Sequence, residues 1–417
     1  MKPRVLFLDY LRVVACLMVM LVHASENFYG ADTSAGLASN MSLLLNEQNR
    51  FWVAFWDGGV SRTAVPLFMI TSAFLLVPIS SPVGGTKGGL TMTQFYRRRF
   101  LRILPPFITF LLLYTFLPLL WGGMTWEQSM RDLRLLPFNF PSMAGHLWFM
   151  YPLISLYLII PVVSPWLERA TAREELIFIA LFAFTTFIPF FHRFVSPELW
   201  GECFWNQFTA FWYCSGYLGY LVLAHYIRVH LKWTRRRRLT VGILSFLAGA
   251  VFTAWSFWWK GVPGQPIETP MLEWAWEFCT PNVLLATFGL FLLFTCIESK
   301  SSLPPVADGS PVKGNLHCAR RFSRRGICNP SPVKGDLQSP SLGRSFVEAL
   351  SRRTYGMYLM HMFFLTPIAA VFIQGNPASP LLPVWLCIPV IALLTYLCCA
   401  VTATLLSLLP GSKYFVG

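Results

Sequence analysis

The chain has 417 residues; 55% are hydrophobic, 16% aromatic and only 12% charged. A soluble domain carries about twice that charge, so a soluble globular class is excluded. The net charge of +14 does not point to nucleic acid, because the basic residues cluster between apolar segments on one side of the expected membrane.

Several apolar runs reach the roughly 20 residues that cross a bilayer core. Ten spans are predicted, over 5–24, 63–78, 103–121, 146–166, 175–192, 205–225, 239–258, 280–297, 354–373 and 382–409. The fold class is therefore an all-α polytopic membrane protein with about ten transmembrane helices. With the N-terminus inside, only Arg50, Arg62, Arg131, Arg134, Arg193 and Lys260 fall outside, and Arg12 lies within a span. All other lysines and arginines face the cytoplasm, which places both termini there.

The first span carries Asp9, Arg12 and His23, with Glu26 at its outer end. It has no small-residue cleavage site, so it is expected to stay as a helix rather than be removed as a signal peptide. Ionisable residues inside a span cost several kcal/mol and mark function by default. Arg12 and His23 lie about 20° apart around a helix and about 16 Å apart along it, so one face carries both. Asp9 neighbours Arg12 and reads as its salt-bridge partner, a structural role that still leaves the arginine able to bind an anion. His23 reads either as a buried imidazole bonded to another helix or as a general base oriented by Glu26.

The second span reads Pro66-Leu-Phe-Met-Ile-Thr-Ser72-Ala-Phe. Hydroxyl residues in mid-span usually pack helices together, and that is the plain reading of Ser72. Arg97, Arg98, Arg99 and Arg102 precede the third span. They read as an anchor to anionic lipid or as a grip on a phosphorylated cytosolic donor, since guanidinium groups hold phosphate bidentately. Arg235 to Arg238 form a simpler topology anchor. His146-Leu-Trp148-Phe149 opens the fourth span at the expected depth of His23, with Trp148 at the height of an aromatic belt.

Segment 298–353 is rich in Ser, Pro, Gly and basic residues. It repeats Ser310-Pro-Val-Lys-Gly314 as Ser331-Pro-Val-Lys-Gly335. It has no apolar period and is expected to be a disordered cytoplasmic loop or insertion. Tyr355-Gly356-Met-Tyr358-Leu-Met-His361 then opens the ninth span from the cytoplasm, where His361 reads as an interfacial residue. The ten cysteines lie mostly in apolar runs, so no disulfide framework is expected. No His/Cys spacing resembles a zinc site, and no metal is expected.

These residues resemble a known family. Asp9-Tyr-Leu-Arg12 with His23 is similar to the Asp-x-x-Arg-x10-His opening of acyltransferase family 3, the bacterial membrane O-acyltransferases. The Pro66–Phe74 run, the Arg97–Pro105 run, His146-Leu-Trp148-Phe149 and Gly356-x-Tyr358-x-x-His361 follow in the family's order. Two features depart from it: Ser72-Ala73 stands where the family usually has Ser-Gly, and the 298–353 loop is long. The resemblance implies a single membrane domain in a bacterial inner membrane. It implies acyl-CoA, such as acetyl-CoA, as co-substrate with no bound cofactor, and a glycan or glycolipid hydroxyl as acceptor. It implies catalysis by His23, Glu26 and Arg12, and donor binding by Arg97, Arg98, Arg99, Arg102 and His361. His146 and Trp148 then shape the acceptor side, and Asp9, Ser72 and Tyr358 are structural. The alternative is a glycolipid transporter or flippase using Arg12 and His23 as substrate or proton sites. Matching inverted halves, common in transporters, are not visible in the spans.

Because 298–353 has no apolar face to bury and loop closure depends weakly on length, deleting 302–340 is expected to leave insertion and activity intact. A reporter fusion together with an acyl-transfer assay checks this; a correctly inserted but inactive deletion would give the loop a role.

Overall fold

The computed structural model describes residues 5–29, 46–79, 90–136, 138–195, 211–265, 267, 269–297, 342–377, 379–412 and 416. All regular structure among them is helical. Eight helical stretches are long and apolar enough to cross a bilayer. The expected sixth and eighth spans correspond to shorter helices, α9 (Tyr217–Val229) and the apolar α12 (Pro281–Phe294).

Three of the boundaries that differ from the sequence reading shape the site. The second span is not the short 63–78 run. It begins with α2 (Glu47–Val53), widens into a π-helical stretch (Ala54–Ser61), and continues as α3 (Ala64–Leu76). The polar residues Asp57, Ser61 and Arg62 had hidden its first half; in the structure all three are buried. The third span starts at Met92 in α4 (Met92–Phe116), so the arginines lie on its first turns rather than before it. Thr91 and Gln94 form a reciprocal capping box there, which satisfies two backbone N–H groups and sets the helix start. The ninth span starts at Leu342 in α13 (Leu342–Ile373), twelve residues before the expected 354. The loop expected over 298–353 thus ends in helix from 342; its part over 298–341, including both copies of the repeat, lies outside the described residues.

The central helix is α1 (Leu6–Glu26), packed against α3, α12, α13, α14 (Val384–Leu406) and the π turn. Asp9 is buried and accepts a hydrogen bond from Ser351 Oγ at 2.6 Å, which ties α1 to α13. On the flank, α10 (Arg235–Lys260) lies along α12 with glycines at the crossing. A Cβ at Gly249 would sit 2.3 Å from the Asn282 carbonyl oxygen, and one at Gly289 would sit 2.4 Å from the Phe246 nitrogen. In lipid, helices associate chiefly by such close backbone approach.

Gly249→Val should therefore destabilise the α10–α12 contact by at least the ~1–3 kcal/mol typical of overpacking, because the clash is with backbone. Gly343→Ala, where nothing lies within 4 Å, should not. Thermal unfolding in detergent distinguishes the two; equal melting temperatures would show that the helices separate without cost.

Candidate active site

A cavity of about 950 Å³ opens between the N-terminal parts of α1, α4 and α13. These ends are the ones the charge pattern assigns to the cytoplasm. Four arginines line it: Arg12, Arg99, Arg102 and Arg352. The wall also has an apolar, aromatic part, where Phe149 is in tilted contact with Phe68 and edge-on to Tyr358. Ser72 also faces the cavity, as does Asp9, whose carboxylate lies 3.8 Å from Arg12. Arg97 and Arg98 are exposed and are not in the wall. Residues 99 and 102 share a helix face that 97 cannot join, because steps of three and four align and steps of two and five do not.

Beyond Tyr358 lies a cluster of three imidazoles. The rings of His23 and His361 are stacked with centroids 5.1 Å apart. The His146 ring meets His361 edge-on at 4.7 Å and lies 6.4 Å from His23. The Tyr358 hydroxyl donates to the His146 carbonyl oxygen, and its ring lies 5.8 Å from His361. Tyr358 thus borders both the cavity and the imidazoles. His361, expected among the arginines, is instead packed against His23. Arg12, expected to act with His23, lies in the cavity wall with Arg99 and Arg102.

The hydrogen bonds define the tautomers. His23 Nδ1 donates to Glu26 Oε2 at 2.6 Å, which leaves Nε2 as the basic nitrogen. His361 Nδ1 donates to the Tyr358 carbonyl at 2.6 Å, so its Nε2 is also an acceptor. His361 Nε2 and His146 Nδ1 are both buried without a protein partner. Orphaned buried acceptors at one place are uncommon in a settled core and suit a site that completes its hydrogen bonds with substrate or water.

Next to this cluster is a charge network that the sequence reading did not assemble. Arg62 lies 2.9 Å from Glu273 Oε2 and 3.5 Å from Asp57 Oδ1. The Tyr29 hydroxyl reaches Glu273 Oε1 at 2.8 Å and Asp57 Oδ2 at 3.2 Å. The guanidinium lies over the Trp276 ring at 4.6 Å and the Phe278 ring at 5.7 Å. Trp148, expected on the acceptor side, stacks on that same Phe278 at 5.4 Å. Burial raises the Tyr29 hydroxyl well above its ordinary value, and the Glu273 and Asp57 carboxylates raise it further, so it stays a donor. Burial also raises the Glu273 carboxyl, an effect that Arg62 and Tyr29 only partly offset.

The π turn makes this network possible. Five residues apart in an α-helix, Asp57 and Arg62 would point about 140° apart. The wider winding, with hydrogen bonds five residues apart, brings such positions towards one face. One signal was available in sequence: Asp57 and Arg62 interrupt an apolar run as Arg12 does. Arg352 had no such signal, because it lay within the expected loop.

The helical bundle with ionisable residues enclosed at its centre defines a multi-pass membrane protein with a buried polar site. The family model described as "Acyltransferase domain" matches residues 5–404, nearly the whole chain. The protein belongs to this family and is a membrane acyltransferase. No curated protein and no solved structure matches it significantly.

Arg62→Met should destabilise the protein more than Glu273→Gln. The first change leaves two carboxylates enclosed without their cation, a situation that costs about 3–5 kcal/mol. The second keeps Arg62 beside Asp57. Unfolding temperatures in detergent test the order; a reversed order would mean that Glu273, not Arg62, holds the network.

Proposed function

We propose that the protein moves an acyl group, acetyl in the simplest case, from a cytoplasmic acyl-CoA to a hydroxyl of a cell-surface or lipid-linked glycan at the bacterial inner membrane. The observation that carries this reading is the two-ended arrangement along α1: an arginine-lined cavity at Arg12 and a His23–Glu26 pair near its other end. The cavity volume is at the upper end of the roughly 300–1,000 Å³ usual for ligand sites. Its four guanidinium groups suit the phosphates of a CoA donor. The apolar part of its wall suits the uncharged arm that carries the thioester.

In this mechanism His23 Nε2 takes the proton of the acceptor hydroxyl. The oxygen attacks the thioester carbonyl, the C–S bond breaks, and the thiolate of CoA leaves and is protonated. Glu26 keeps His23 in the required tautomer and stabilises the imidazolium that forms. Trp148 and Phe278 offer flat apolar faces to a sugar, and Arg62 with Glu273 offers hydrogen bonds to its hydroxyls. The first helix also resembles that of the O-acetyltransferase of enterobacterial common antigen, through Ala15-Cys-Leu-Met18 and His23. That glycan is therefore the first acceptor to try.

The test is transfer of labelled acetyl from acetyl-CoA in proteoliposomes, with glycan mass spectrometry of a deletion strain to identify the acceptor. His23→Ala should lower turnover by about 10²–10⁴-fold, the usual contribution of a general base, with insertion unchanged. Arg352→Ala and Arg99→Ala should each raise KM for the donor by roughly tenfold or more, since a charge-assisted hydrogen bond is worth about 1.5–3 kcal/mol. Arg97→Ala should not. Near-normal transfer by His23→Ala would remove the imidazole from the chemistry. Equal effects of Arg97→Ala and Arg352→Ala would reduce the cluster to a lipid anchor.

A further inference from the structure

A second constellation lies away from the imidazole cluster, at the side of the bundle formed by α7 (Ala172–Thr185) and α9. Glu175, in the first turn of α7, is fully enclosed. His225 near the end of α9 and His230 just beyond it converge on it from the other helix. Glu175 Oε1 lies 2.9 Å from His225 Nδ1 and 3.1 Å from His230 Nε2. One potential ligand atom from each residue lies within 4.8 Å of the others. His225 is buried, while His230 is partly open and leaves a path from solvent.

The detail that distinguishes this from an ordinary hydrogen-bond pair is the carboxylate. Both imidazole nitrogens converge on one oxygen. The other, Glu175 Oε2, is buried with no partner. A carboxylate enclosed only to accept two N–H bonds would use both oxygens, because an orphaned buried acceptor costs free energy. A cation resolves the arrangement. At metal–ligand distances of about 2.0–2.2 Å, tetrahedral ligand atoms lie about 3.3–3.6 Å from one another, a few tenths of an ångström beyond the two carboxylate–imidazole separations. Two imidazoles and one carboxylate suit zinc and its first-row neighbours rather than calcium or magnesium, which take oxygen ligands.

We propose that Glu175, His225 and His230 form a binding site for a single zinc-class divalent cation that staples α7 to α9. The staple has a structural reach. Arg228, between the two histidines on α9, donates from Nη1 to the carbonyls of Phe74 at 3.0 Å and Val77 at 3.2 Å. Those carbonyls end α3, and the intervening Leu75 and Leu76 line the arginine cavity. A cation that fixes the end of α9 therefore also holds the wall of that cavity. His225 and His230 stand only five residues apart, but Glu175 comes from another helix fifty residues before His225, so the full ligand set is not announced by any one stretch of sequence.

The experiment uses the full-length protein, purified in detergent through a histidine-free tag and stripped with a chelator. Zn²⁺ is titrated by calorimetry, bound metal is counted by mass spectrometry after gel filtration, and unfolding temperature is read with and without Zn²⁺. The expected result is one Zn²⁺ per chain and a raised unfolding temperature, since a ligand that binds only the folded state stabilises it. His230→Ala and Glu175→Gln should each weaken Zn²⁺ binding more than tenfold and remove the thermal shift. His230 is at the open edge, so His230→Ala keeps the test decisive if Glu175→Gln fails to fold. Wild-type protein that takes up no more Zn²⁺ than His230→Ala would overturn the proposal. So would uptake unchanged in both variants, which would move the metal to another group such as the three imidazoles around His23.

Discussion

A charged side chain enclosed by apolar helices must find its counter-charge on another side chain, because neither lipid nor core supplies one. That requirement organises this bundle. Arg62 is held between Asp57 on its own helix and Glu273 on a connecting segment, with Tyr29 closing the ring. Three stretches far apart in sequence are thereby drawn to the end of α1. At the opposite end, Asp9 does the same with Arg12 and Ser351, and brings in α13. The helix between these two anchors carries His23. Its helix is thus held at both ends by charge networks, and Glu26 fixes its ring directly.

The consequence is a separation of tasks along one axis. Guanidinium groups gather where α1, α4 and α13 begin, and acceptor nitrogens gather near the other end. For His23 to act as the base of the proposed mechanism it must spend part of its time unprotonated, and four cations close by would work against the imidazolium it forms. Distance and an aromatic partition of Phe68, Phe149 and Tyr358 keep the two environments apart. Glu26 supplies the opposite sign where it is useful. Tyr358 contacts both compartments and is the side chain through which changes in one would be felt in the other.

Much of this was legible in the chain itself. An aspartate, an arginine and a histidine in one apolar run identified α1, and the alternating spans gave the all-helical membrane class. The misplacement of His361 and the omission of Arg352 share one physical origin, the start of α13. With α13 beginning at 354, His361 is about 10 Å into the helix and belongs with the arginines. With the observed start at Leu342 it is about 28 Å in, at the depth of His23. The same twelve residues turn Arg352 from a loop charge into a wall of the cavity. Helix starts are poorly marked when a basic, proline-rich stretch runs directly into an amphipathic turn, because hydropathy falls well before helical hydrogen bonding ends.

The second span was hidden for a different reason. Hydropathy treats Asp57 and Arg62 as two penalties, although a pair that neutralises itself costs far less than two isolated charges. Whether they can pair depends on backbone winding, and an α-helical reading puts them on different faces. The π stretch changes the angular step over Ala54–Ser61, and Gly58 within it allows Trp276 to approach to a distance that a Cβ would forbid. Trp276 then lies under the Arg62 guanidinium. A local departure from the standard helix, a glycine beside it and a distant tryptophan are therefore one device. It admits a cation to the protein interior next to the histidines. Its cost in helix geometry is repaid by a network that any straight α-helix would leave unpaired.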